Sequence, residues 1–493
     1  MIRIIKRVNR MKNFENTSSR RKFMTMGVSS AAVLLGGAAL THRAQAGSAQ
    51  NNNMLSNGTT ITHSHVKAMT SDANLKIGDT VCTLGYHKVG DDGDNIYIIG
   101  SNTSTDDGGS IISLKNGLNA QGIFPGGIIR VEQFGAVGFT QANQAEASID
   151  NSAAMTNAHK TGQVITYGAK QYRFNTLVIP FGGIIGRGDS TILVSTDTST
   201  KDIVSYQGLV NHNEVSGIFK DFSLKVGSSN QKTAGAGIKF AYLKGSNNYT
   251  SHIQNVNIKN IPTSIHTNNA SFYTIKDSYL SAYSRHGIFV DVVNKFTHER
   301  DSNIENNVLD SKLASAVAIK YHGGSIKVAN NKISGGLIGI DLSPVNASPM
   351  AQITGNVIEK QKENSIRFTT QTKLTANENT DFTQLLISQN RLDASTTKGA
   401  AIFISPNSFT LGDLSINNNL IRFHGDAQAV AAIDINNSTR FMINNNTVNC
   451  HNGTGHRGIH ISEDCSSGIL SINHVILPLN GHTLNLSATT TSV

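Results

Sequence analysis

A short pattern recurs through the second half of the chain and restricts it to architectures built by repetition. An aliphatic residue is followed by Asn three positions later and by another aliphatic residue five positions later: Ile304/Asn307/Leu309, Val328/Asn331/Ile333, Ile353/Asn356/Ile358, Ile387/Asn390/Leu392, Ile416/Asn419/Ile421 and Ile443/Asn446/Val448. Weaker copies start at Ile253, Ile275 and Ile472, and successive starts lie 22 to 34 residues apart, the length of one solenoid coil. The aliphatic residues fit a narrow shared core. Each Asn fits a tight turn in which its amide bonds the Asn of the coils above and below, and stacked Asn tolerates left-handed backbone. The alternative for this column is a binding role. A second column can be aligned some 10 to 20 residues after the first: Ile238, Ile265, Ile288, Ile319, Ile340, Ile366, Ile402, Ile433 and Ile459. Two strand columns therefore stack in register. Helical periodicity is confined to Asp150–His159, which suits a cap on the first coil.

The net charge of +9 suggests nucleic acid as a partner until the basic residues are located. Nine of the 42 lie within residues 1–46 against a single acid, Glu15, which leaves 33 Lys and Arg facing 32 Asp and Glu. Nucleic acid is thereby excluded as the expected partner. Ser19, Arg20, Arg21, Lys22, Phe23 and Met24 resemble the twin-arginine export motif, and Met26–Leu40 is the weakly apolar stretch that follows it, too short to span a bilayer. Ala44-Gln-Ala46 is a cleavage pattern. Residues 1–46 are thus expected to be a signal peptide read by the twin-arginine translocation machinery, with Met11 a second candidate start. The resemblance implies export of a folded protein to the periplasm or beyond, with no membrane span left after cleavage. Residues 47–65 read as a flexible linker. Cys82 stands alone, whereas Cys450 and Cys465 either pair after export or remain buried thiols.

From Leu75 the chain runs Leu75-Lys-Ile-Gly-Asp-Thr-Val81, Gly90-Asp-Asp-Gly93 and Val131-Glu-Gln-Phe-Gly-Ala-Val-Gly138. It continues through Asp150-Asn-Ser-Ala-Ala154, Val164–Tyr172 and Ile184–Ile192. This order resembles the entry segment of phage tailspike-like and pectate-lyase-superfamily proteins. It departs at Phe139 and Thr140, where an Asp-Gly pair is usual, and in keeping only Asp150 of an acidic pair. The resemblance implies an all-β, right-handed parallel β-helix that handles a polysaccharide, with calcium a possible cofactor and a trimer a possible assembly. With the repeats, it divides the chain into an entry domain at 66–127, a β-helix at 128–477 and a cap and tail at 478–493.

Strand side chains alternate, so the residue after each aligned isoleucine faces outward. That column reads Lys239, His266, Phe289, Lys320, Asp341, Arg367, Phe403, Asp434 and His460, and the column two residues on includes Asp291 and His322. Asp291, Lys320, His322, Asp341 and Arg367 form the candidate catalytic patch. Lys239, His266, Phe289, Phe403 and Arg285 are candidate substrate-binding residues, the phenylalanines as sugar platforms or as rings under a covering loop, and Arg285 with His286 on the face or in a turn. Asp434 and His460 read as solvated surface, and His298–Asp301 as an exposed loop or groove wall. Elimination from a uronate polymer needs a base and a positive charge beside the enolate. His322 or Lys320 supplies the base, Arg367 the partner of the substrate carboxylate, and Asp341 the group that orients Lys320 or Arg367. Hydrolysis needs two carboxylates, and Asp291 and Asp341, two rungs apart, stand roughly 10 Å apart at the backbone, near the upper edge for an inverting pair. A surface charge ladder explains Lys320, Asp341 and Arg367 equally well. No acidic cluster identifies a metal site. The expectation is an exported polysaccharide depolymerase, lyase before hydrolase, with a non-catalytic glycan-binding or cell-surface β-helix as the alternative.

Overall fold

The computed structural model describes residues 60–207, 217–227, 232–240, 248–249, 251–268, 270–291, 302–344, 350–369, 382–394, 398–406, 411–424, 431–450, 457–476 and 485–486. Arg20, Arg21, the cleavage pattern and His298–Asp301 lie outside the described residues. Beyond the entry segment, the strands form a right-handed parallel β-helix, with one 23-stranded sheet, one 12-stranded sheet and a short two-stranded pair. Each strand of the two long sheets pairs in parallel with its counterpart one coil away. The register of the shorter sheet follows the aligned isoleucines from Ile238 to Ile459, and Leu177 and Val204 extend the column toward the N-terminus. Every residue of this column is buried. Removing such a side chain from water stabilises by about 1.5–3 kcal/mol, which makes the column the main hydrophobic support of the face it underlies.

The Asn column is a continuous internal ladder. The Oδ1 of Asn331 accepts from both the backbone N–H and the Nδ2 of Asn307 at 3.0 Å, and Asn331 donates in the same way to Asn356. The arrangement repeats through Asn390, Asn419, Asn446 and Asn473. Each Nδ2 also donates to the carbonyl of an aliphatic residue that opens the pattern, as Asn356 does to Val328. Two details differ from the sequence reading. The left-handed backbone belongs to the residue before the ladder position, at Asn306, Asn330, Gly355, Gln389, Asn418 and Asn445, because that residue makes the bend and the ladder amide points inward. The last copy starts at Leu470, paired with Ile443, and not at Ile472. Ile472 occupies the bend itself, with φ 48° and 78% exposure.

The helix Ser152–Lys160 forms where periodicity predicts one and turns Met155, Ala158 and His159 inward. It packs on the strands Val164–Thr166 and Leu177–Ile179 at the start of the solenoid and so covers the end of the first coil. The entry segment carries a five-stranded, largely antiparallel sheet around Val81, Tyr97, Ile99 and Ala120. Its first strand, Thr60–His63, falls in the stretch expected as linker, and pairing with Thr80–Thr83 is what orders it. Asn485–Leu486, in the expected tail, adds to the shorter sheet beside His460 and Ile461. Cys450 and Cys465 are buried free thiols, so the pairing weighed for them is not formed. Among the described residues no helix is long and apolar enough to cross a membrane.

Candidate functional site

The outward face of the 12-stranded sheet brings the predicted residues together on consecutive rungs. In-register pairs run His266↔Phe289, Phe289↔Lys320, Lys320↔Asp341, Asp341↔Arg367 and Arg367↔Phe403. Neighbouring strands lie about 4.8 Å apart, so groups from three successive coils reach one point.

Asp291 ends the strand His286–Asp291, and His322 follows the strand Val317–Tyr321 on the next coil. The His322 backbone N–H donates to Val290 at 3.0 Å and continues the ladder one residue past the strand, which fixes where its ring stands. Its Nδ1 lies 3.2 Å from Asp291 Oδ1, a carboxylate and imidazole pair in which the carboxylate sets the ring's orientation. His322 is 7% exposed. His266 Nε2 approaches the other Asp291 oxygen at 4.0 Å, beyond hydrogen-bond range, and is a buried ring nitrogen without a hydrogen-bond partner among the described residues. Burial, reinforced by the Lys239 ammonium, pushes His266 down to about 4, and burial with Lys320 nearby does the same to His286. Both rings are therefore neutral at ordinary pH and can exchange hydrogen bonds with hydroxyl groups.

Phe289 joins this cluster and is not an open sugar platform. The imidazoles of His266 and His286 stack on its ring, each with centroids 4.8 Å away, and His322 meets it edge-on at 5.2 Å. Phe403 is half-buried one coil beyond Arg367. Arg285 is exposed in the turn before its strand, as one of its two readings had it, with its backbone N–H donating to Pro262. His286, in the strand itself, faces the cluster.

Side-chain partners narrow one assignment and change others. Asp341 is 1% exposed and takes the Arg367 guanidinium through both oxygens, at 3.0 and 2.9 Å, so of the two cations it was expected to orient it holds Arg367. Glu363 accepts from the third nitrogen of Arg367 at 3.1 Å, so the fork expected to hold a substrate carboxylate is filled from within the chain. Asp434 and His460 are not solvated surface: Asp434 is buried and lies 2.8 Å from His460 Nδ1, a second carboxylate and imidazole pair on the same face. Lys239 is likewise held, by Asp202 at 3.0 Å. Lys320 has no ion-pair partner within 4.0 Å among the described residues. Asp202 and Glu363 escaped the sequence reading because they lie outside the aligned strand positions. Glu363 stands four residues before Arg367, which was the available signal. Among the described residues no group of three or more His, Cys, Asp and Glu side chains could hold a metal ion, so the implied calcium finds no matching donor set there.

Known proteins share this architecture at low identity. The tailspike protein of an Acinetobacter baumannii bacteriophage, a capsular polysaccharide depolymerase, superposes with a TM-score of 0.57 at 12% identity, over 88% of this chain and 77% of its own. The tailspike of another Acinetobacter phage gives 0.54 at 13%, over 88% and 73%. Full-length tailspike protein 2 of an Escherichia coli O157:H7 bacteriophage gives 0.54 at 12%, over 85% of this chain and 52% of its own, so the chain spans about half that protein's length. These likenesses show the tailspike-like β-helix fold. No family model and no curated protein matches the sequence.

Proposed function

We propose that the protein is an exported polysaccharide depolymerase that cleaves a uronate-containing polymer by β-elimination on the outward face of the 12-stranded sheet. The observation that carries this reading is the His322–Asp291 pair beside Lys320, with Asp341 sealed beneath Arg367. A hydrolase needs two available carboxylates. Here one of the pair is already bonded through both oxygens, whereas an imidazole held by a carboxylate is suited to take a proton.

In the proposed step His322 removes the proton beside the uronate carboxylate. The C–H electrons pass into the enolate, the glycosidic oxygen at the neighbouring carbon leaves with its bonding pair and takes up a proton from water, and a carbon–carbon double bond remains. Lys320 supplies the positive charge that stabilises the enolate, the part earlier given to Arg367. Asp291 is a positioning residue for His322. His266 and His286, both neutral, meet the sugar hydroxyls. Arg367, Asp341 and Glu363 form the rigid wall next to the site.

Incubation of the protein with acidic and neutral polysaccharides, following polymer size and ultraviolet absorbance of an unsaturated sugar end, tests this. Shortening with rising absorbance, lost in folded His322→Ala and Lys320→Ala variants, is the expected result. New reducing ends without absorbance would make the enzyme a hydrolase. Retention of polymer without shortening would leave a binding protein.

A further inference from the structure

On a different face of the solenoid, the first coils of the 23-stranded sheet carry a cleft of about 600 Å³. Part of its floor is a column in register across four strands: Arg173, Val194, Lys225 and Lys259. A second column two residues earlier, Gln171, Ile192, Ser223 and Asn257, lies beside it on the same sheet surface, so the apolar patch at Ile192 and Val194 is bordered by polar side chains of both columns. No carboxylate is among the residues that line it. Asp189 touches it from the polar edge, where it accepts from Ser223 at 3.1 Å. None of Arg173, Lys225 and Lys259 has an ion-pair partner within 4.0 Å among the described residues, although exposed cations elsewhere on the solenoid, such as Arg440 with Asp413, do. Beyond Lys259 the same column runs through Ser281, Asp310, Ser334, Glu359 and Asp393 before it meets Arg422, so the basic stretch is bounded.

From this we infer a second polysaccharide site, on a different sheet from the histidine cluster, that takes a carboxylated glycan strand lying across the first coils. Rungs about 4.8 Å apart match the length of a sugar ring, so the carboxylates of one strand meet Lys225 and Lys259 on adjacent coils and Arg173 two coils away. The apolar floor receives ring faces, and Gln171, Ser223 and Asn257 exchange hydrogen bonds with hydroxyl groups. Such a site holds polymer without cutting it and raises its concentration at the histidine face. The choice of a carboxylated glycan rests on the elimination reading above; the cationic column does not.

Affinity electrophoresis of the full chain carrying His322→Ala, in gels containing polygalacturonate, dextran or single-stranded DNA, separates the two. Charge reversal at Arg173, Lys225 and Lys259 together is expected to weaken polygalacturonate retention at least tenfold, with a flatter salt dependence, because three fewer ionic contacts are screened. Single Lys225→Gln and Lys259→Gln changes should give intermediate losses at an unchanged melting temperature, which rules out misfolding as the cause. Retention unaffected by charge reversal, equal retention by dextran, or stronger retention by DNA would each overturn the assignment. Failure of the catalytic reading shows separately, as a chain with an intact His322 that shortens no polymer while still being retained through this cleft.

Discussion

The Asn ladder and the outward face of the 12-stranded sheet are built on the same coils, yet they obey opposite rules. Along the ladder each coil repeats its predecessor: the same residue, the same two bonds to the next coil, and a left-handed backbone at the position before it. On the face no residue type is carried from one coil to the next between His266 and Arg367: His266, Phe289, Lys320, Asp341 and Arg367 succeed one another, and His266 keeps a buried nitrogen without a hydrogen bond. Repetition satisfies every group and serves stability. Departure from it leaves polar capacity over, as a binding or reacting surface requires.

The sharpest way to break this contrast is to exchange the two consequences. His322→Ala should reduce polymer cleavage by roughly 10²–10⁴-fold, the range for a lost general base, while the thermal midpoint stays near that of the parent. Unchanged cleavage would remove the site from this face. Asn356→Ala should do the reverse. It strips the acceptor from both donors of Asn331 and should cost about 3 kcal/mol, read as a lower denaturation midpoint, with cleavage per folded molecule retained.

Acid distinguishes the two regions more gently. The ladder amides do not titrate, but His266 is depressed to about 4 in the folded chain and has an ordinary value near 6.5 when unfolded. Its contribution is fully present above about pH 6.5 and is lost as the pH falls toward 4, where the unfolded chain takes up the proton first. By pH 5 the loss is on the order of 2 kcal/mol, and His266→Gln should lack it when melts at pH 7 and pH 5 are compared. The smallest effect belongs to the ladder's own flaw. Ile472 holds φ 48° where earlier coils place Asn, Gln or Gly, and Ile472→Asn should stabilise by about 1 kcal/mol. A lower midpoint would mean that the isoleucine makes compensating contacts.

Both strand columns were legible in the sequence because alternation in a parallel stack leaves one register that buries the isoleucines, and every pairing from Ile238 to Ile459 follows it. The ladder was legible as well, apart from which residue carries the bend, since Asn is common at both positions. At Ile472 spacing alone misled: an aliphatic residue five after another looks the same in a strand or on a bend. The candidate site was legible as a set of neighbours and not as a set of partners. Register brings Asp341 beside both Lys320 and Arg367, but side-chain reach decides between them, and the guanidinium, with two parallel donors, takes both oxygens. Glu363 and Asp202 fill two cations from positions that a column reading does not visit.

Successive ladder asparagines are separated by 24, 25, 34, 29, 27 and 27 residues, yet each makes the same pair of bonds to the next. Length inserted between two asparagines is therefore spent in the loops and does not reach the neighbouring coil. Whole coils can be gained or lost as units, each adding or removing one graduation on a ruler laid along the outer face, and loops can be recast without recalibrating it. A chain built this way can change what its margins present while its spine stays as it is.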